Sequence, residues 1–171
     1  MVRMDMREVK LEKVTVNIGV GETGERLQKA KKLLERLTNK TAALTKAKQR
    51  EQAFGIRKGD TIGVKVTMRG EEAMEFLKNA FDAVDFKFNK RSIDRLGNFA
   101  FGVKEYIDFP KAKYDPTIGL IGFDVCGTMS RPGRRVEIRR RLRSAMRRTH
   151  RVTPEETADF LVKNFKVNIY E

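Results

Sequence analysis

Apolar and polar residues alternate from Glu12 to Val20, EKVTVNIGV, with Val14, Val16 and Ile18 on one side. A period of two predicts a strand with one covered face. Over residues 25–38 the period changes, and Leu27, Ala30, Leu34 and Leu37 recur between lysines and arginines at helical spacing. A polar, basic stretch runs from Asn39 to Asp60, and a second alternating run, TIGVKVTMR, follows at 61–69. GEEAMEFLKNAFDAV, residues 70–84, places carboxylates in its first turn and Ala73, Phe76, Leu77, Ala80, Phe81 and Val84 on one stripe. That pattern predicts a second amphipathic helix with a favourable N-terminus. Period two returns in NFAFGVKEYIDF and LIGFDVCGTMS, on either side of a Tyr-Asp-Pro turn. Pro154, Glu155 and Glu156 open a last helix, expected to bury Ala158, Leu161, Val162 and Phe165. KVNIY, residues 166–170, is compatible with a final edge strand.

The predicted order is β-α-β-α-β-β-α(-β). Alternating strands cover one face only, so the economical arrangement is α+β: a largely antiparallel sheet with helices packed on one face. The other face is left free to meet something wet or charged. Residues 1–171 are expected to form a single domain, with 39–60 as a projecting basic loop and 130–152 as an arginine-rich extension.

Charge narrows the class of partner. The 171 residues carry 37 Lys and Arg against 23 Asp and Glu, a formal charge of +14. Such an excess points to a polyanion, either nucleic acid or an acidic membrane surface. No apolar run approaches the ~20 residues of a membrane span, and the opening MVRMDMREVKLEK lacks the apolar centre of a secretory signal. A cytosolic protein is expected. Cys126 is the single cysteine and His150 the single histidine. Cys126 falls in an alternating strand, where a small buried thiol is the ordinary reading. Neither residue has a sequence partner for nucleophilic or metal chemistry, so no enzyme, no cofactor and no small-molecule substrate are expected.

One motif argues otherwise. Gly19, Gly21 and Gly24 spell G-x-G-x-x-G between a strand and a helix, the outline of a dinucleotide-binding turn. Such a turn requires a first strand buried on both faces, and Lys13, Thr15 and Asn17 interrupt this one. It also requires an acidic residue ~20 positions on, at the end of a parallel strand, where the chain reads NKTAALTKAK. The alternative is a bend that glycine permits, or a backbone-close contact with RNA phosphate.

Two segments concentrate the charge. Residues 130–151 hold ten arginines and one carboxylate, Glu137. A solvated face normally mixes signs, and the planar guanidinium suits phosphate. In residues 38–60, Lys40, Lys46, Lys48, Arg50, Arg57 and Lys58 face only Glu51 and Asp60. Phe54 and Ile56 near the tip of this stretch are either a small anchor into the core or an exposed stacking surface. In RSIDRLGNFAFG, residues 91–102, Asn98 adjoins Phe99 and Phe101, and one phenylalanine is expected in the core.

These segments, in order, resemble the family of ribosomal protein five of the large subunit, in its archaeal form. KVTVNIGVGE, LTKAKQREQAFGIRKGDTIGVKVTMRGEEAMEFL, GNFAFGVKEYIDF and KYDPTIGLIGFDV carry the likeness, and MSRPGRRVEIRRR resembles the archaeal and eukaryotic branch. Bacterial members typically carry Gly-Gln-Lys-Pro where this chain has Asn39, Lys40, Thr41 and Ala42. The resemblance implies a structural protein that helps attach 5S rRNA in the central protuberance of the large subunit. It further implies contacts with large-subunit rRNA, with P-site tRNA through residues 44–60, and with small-subunit ribosomal protein thirteen across a bridge.

On this reading rRNA is expected at Asn17, Gly19, Gly21, Thr38, Asn39, Lys40, Thr45, Lys48, Asn98 and Lys104. Arg131, Arg134, Arg135, Arg139 and Arg140 extend that set, and the arginine-rich run is expected to order on rRNA. The tRNA-contacting set is Arg50, Phe54, Gly55, Arg57 and Lys58. A nucleotide-binding enzyme using the Gly19–Gly24 turn and a non-specific polyanion binder are the alternatives.

Overall fold

A computed structural model describes residues 5–110 and 112–170. Residues 1–4, the start of the segment judged not to be a secretory signal, lie outside it, as do Lys111 and Glu171. The elements are β1 (Lys10–Gly19), α1 (Glu25–Thr38), β2 (Ala43–Lys46), β3 (Thr61–Met68), α2 (Glu71–Asp82), β4 (Lys87–Asn89), β5 (Phe99–Val103), β6 (Phe123–Ser130), a one-turn α3 (Arg135–Ile138), α4 (Pro154–Phe165) and β7 (Asn168–Tyr170). Five strands form one sheet in the order β2-β3-β1-β6-β5, and every neighbouring pair in it is antiparallel. β4 and β7 form a separate parallel pair. The fold is α+β, as the alternation requires.

Two strands leave no mark in the sequence pattern. β2 lies within the stretch expected to be loop, because ALTK has too few apolar positions to show a period. β4 has three residues, too short for any periodicity. The expected projecting segment therefore shortens to the residues between β2 and β3.

Val14, Val16 and Ile18 of β1, Val64, Val66 and Met68 of β3, and Phe123, Val125 and Met129 of β6 all point into one core. Leu27, Ala30, Leu33 and Leu34 of α1 and Ala73, Phe76, Leu77, Ala80 and Phe81 of α2 cover that face. Both Phe99 and Phe101 face inward, two residues apart on β5, with ring centroids 6.4 and 4.7 Å from that of Phe81. The expectation of a single core phenylalanine is corrected by the pleat, since i and i+2 share a face. On α4 the buried stripe is Thr157, Leu161 and Phe165, while Val162 is exposed. That helix is turned from the expected phase because the Thr157 hydroxyl donates to the Gly97 carbonyl at 2.8 Å.

Gly127 is the partner of Phe99 across β5 and β6. A Cβ added there would lie 2.1 Å from the Phe99 ring. The missing side chain lets the ring lie flat across the neighbouring strand and reach Phe81 and Phe88.

The arginine-rich extension is moored to the body at its base. Arg131 pairs with Glu156 and also donates to the Thr149 carbonyl at 3.1 Å. Arg134 pairs with Glu12 of β1 at 2.7 Å, and His150 Nε2 lies 2.9 Å from the Pro132 carbonyl oxygen. Glu156 has a second duty, accepting the Thr153 amide in a capping box that starts α4.

These contacts set the cost of two substitutions. Gly127→Ala lowers unfolding free energy by about 2–3 kcal/mol through overpacking, read as a shifted denaturation midpoint at constant m. Glu156→Ala removes the carboxylate half of the capping box and the partner of Arg131 together, costing about 1–3 kcal/mol. Amide exchange in residues 148–157 should then accelerate while that of α2 is unchanged.

Candidate nucleic-acid interface

With α1 and α2 on one side, the outward residues of the sheet form a polar surface. The strand registers fix its rows. Ala43, Lys65, Asn17, Asp124 and Gly102 lie side by side across five strands. The next row is Thr67, Thr15, Cys126 and Ala100, and beyond it Thr128 pairs with Lys13. Small residues, hydroxyls, an amide and two ammonium groups make up most of this face. Such groups hydrogen-bond riboses and phosphates and leave room for a backbone to approach.

Asn17 stands at the centre of that surface, half-buried between Lys65 and Asp124. Thr45 flanks it beside Gly63 and Gly19. Lys48 and Asn39 are exposed at the β2 side and Lys104 is exposed just past β5. Sequence reasoning missed Lys13, Thr15, Lys65, Thr67 and Thr128. Their signal was present, because each is in antiphase with the buried valines of its strand.

Other expected contacts are engaged internally. Thr38 is buried and donates its hydroxyl to the Leu34 carbonyl at 2.6 Å. Lys40 pairs with Glu72, tying the end of α1 to the start of α2. Arg131 is nearly enclosed by its pairing with Glu156, and Arg134 holds Glu12. Sequence spacing does not reveal such long-range pairs. Arg135, Arg139 and Arg140 remain exposed, with Arg139 Nε donating to the Leu142 carbonyl at 2.8 Å.

The segment between β2 and β3 closes on itself. Glu51 and Ile56 exchange backbone hydrogen bonds at 3.0 Å, around a turn that carries Gly55 at φ 66°. The Arg57 amide donates to Asp60 at 2.8 Å. Phe54 is 76% exposed at the tip, so it is no core anchor. Arg50, Arg57 and Lys58 are exposed around it.

The glycine turn makes a bend. The amides of Val20 and Gly21 both donate to the Ile62 carbonyl at 2.9 Å, so neither is free to cradle phosphate. Gly21 and Gly24 take φ of 76° and 117°, a region that favours glycine. β1 is antiparallel to both its neighbours, whereas a dinucleotide-binding half needs parallel strands beside the motif.

Cys126 also departs from expectation: it is half-buried on the outward face beside Thr15. Burial pushes its thiol pKa up, and the Asp124 carboxylate adds to that rise. The thiol stays protonated at neutral pH and is a poor nucleophile. Among the described residues no group of three or more His, Cys, Asp or Glu could hold a metal ion. No helix among them is long and apolar enough to cross a membrane.

Comparison with known proteins identifies the family. Residues 5–57 match the family model for Ribosomal protein L5, and residues 61–167 match the model for the C-terminus of the same ribosomal family. Large ribosomal subunit protein uL5 of Sulfolobus acidocaldarius is 49% identical over 166 residues, covering 97% of this chain and 93% of the relative. Those of Sulfurisphaera tokodaii and Archaeoglobus fulgidus are each 50% identical, covering 97% and 91% of this chain and 94% and 87% of theirs. A basic α+β chain with a polar outward sheet face, matched almost end to end by these archaeal proteins, belongs to the ribosomal protein L5 family in its archaeal form.

Proposed function

We propose that this constituent of the large ribosomal subunit, a cytoplasmic particle, holds 5S rRNA against the outward face of its sheet. The observation that carries this reading is the one-sided packing of α1 and α2. It leaves Asn17, Lys65, Thr67, Thr15 and Thr128 on the outward side of the sheet in a chain of +14 charge, Lys65 and Thr67 exposed and the other three half-buried. A-form RNA hides its base edges in a deep groove, so contact through riboses and phosphates suits such a surface. Asp124, in the same row, would accept a ribose 2′-hydroxyl and exclude phosphate from its own position.

In this reading Asn39, Thr45, Lys48 and Lys104 flank the same RNA, and Arg135, Arg139 and Arg140 reach large-subunit rRNA. The tip around Phe54, with Arg50, Gly55, Arg57 and Lys58, touches P-site tRNA. Exposed cations and one ring make a contact that forms and breaks, as a transient ligand requires. The bridge to small-subunit ribosomal protein thirteen is part of the same proposal and rests on family membership alone.

The test is binding of 5S rRNA from about 50 to 200 mM salt with unlabelled tRNA as competitor. Affinity should fall steeply with salt, by ~10³ or more for six phosphates on the duplex-DNA estimate, yet retain at least ~10²-fold preference for 5S rRNA. Lys65→Ala should weaken binding and reduce the salt slope by about 1. Equal loss of both RNAs would leave only a non-specific polyanion binder.

A further inference from the structure

A cavity of about 470 Å³ lies where the arginine-rich extension folds back over the end of β6. Met129 and Val152, both buried, line it from the body. Met129 is in phase with the inward residues of β6, so the cavity is built from the side of the sheet opposite its outward face. Leu96, on the turn before β5, and Ile138, on the extension, also line it and are 51% and 62% exposed. Met146 completes the apolar lining and is half-buried. Large apolar side chains left open to water beside an apolar floor mark a surface that takes a partner.

The polar residues on the lining are mostly engaged within the chain. Asn98 donates its side-chain amine and its backbone amide to Asp94 at 2.9 and 2.7 Å, and its side-chain oxygen is buried. Arg131 is held by Thr149 and Glu156, Arg134 by Glu12, and His150 Nε2 lies against the Pro132 carbonyl. Arg143 and Arg151 remain exposed at the cavity, against one half-buried carboxylate, Glu137. A nucleobase is ordinarily held by stacking on rings and by hydrogen bonds at its edge. No phenylalanine or tyrosine lines this cavity. Its aliphatic walls suit a leucine or isoleucine side chain, and two methionines adapt to the shape of what enters. A rim of arginines around an apolar centre is the composition of a protein interface, and it favours carboxylates on the partner. We propose that the cavity is a docking site for an acidic segment of another protein, which inserts one aliphatic side chain over Met129 and sets carboxylates against Arg143 and Arg151. The site uses the side of the sheet away from the face assigned to 5S rRNA and stands independently of that assignment.

Two synthetic peptides test it on the full chain: glutamates flanking a central leucine, and the same peptide with serine at the centre. A chain of +14 charge attracts both, so the difference between them isolates the cavity. The leucine peptide should bind about tenfold tighter, the order that burying one such side chain carries. Photoleucine at the centre should crosslink to Met129, Ile138 or Met146. Ile138→Asn, at an exposed position outside the core, keeps the charge and should reduce the difference below about twofold, with 5S rRNA affinity unchanged. Saturating 5S rRNA should leave the peptide bound. Equal binding of the two peptides, or crosslinks confined to other surfaces, would overturn the proposal. Displacement of the peptide by 5S rRNA would give the cavity to RNA. A wild-type dimer that Ile138→Asn dissociates would give it to a second copy of the chain, and either result contradicts the proposal. Loss of 5S rRNA preference alone would remove the RNA reading and leave this one standing.

Discussion

Phe81, near the end of α2, is the contact on which the rest of the architecture depends. Its ring lies within 4.7 to 6.4 Å of Phe88, Phe99, Phe101 and Phe165, measured between centroids. Four elements (β4, β5, α2 and α4) meet there, and the main sheet enters the cluster only through its inward side. Aromatic rings of this size dominate core energetics, so the cluster decides which face of the sheet is covered. Gly127 is its counterpart in the sheet, since only a residue without a side chain lets Phe99 reach across. The large apolar groups gather on one side, and the opposite face is left polar by exclusion.

Electrostatics divides the cations into two groups. Lys40, Arg131 and Arg134 have carboxylate partners on distant segments and serve as struts. Lys65 and Lys13 on the sheet, with Arg135, Arg139 and Arg140 on the extension, supply the field that a polyanion meets. The struts determine where that field points. Arg131 and Glu156 are central to this division, because one carboxylate both caps α4 and fixes the base of the extension.

The alternation in β1, β3, β5 and β6 and the stripes of α1 and α2 were legible because period and burial coincide there. The covered face, and hence the open one, followed from them. The short strands β2 and β4 were not legible, and neither was the phase of α4, which Thr157 sets through a contact 60 residues away in sequence. For the interface, Asn17 and the exposed arginines could be read directly. Thr38, Lys40 and Arg131 could not be separated from them, since a cation's partner is set by tertiary structure and not by its neighbours in the chain. Lys65 and Thr67 were within reach of the same alternation that identified Asn17.

The central claim is that RNA covers the outward face of the sheet, and Cys126 lies on that face as the chain's single cysteine. Its rate of alkylation by N-ethylmaleimide, at a mildly alkaline pH that offsets the raised thiol pKa, reports directly on whether the face is covered. With 5S rRNA at about ten times its Kd, the rate should fall roughly tenfold, following the free fraction of protein. An unchanged rate at saturating 5S rRNA would place the RNA elsewhere and contradict the account.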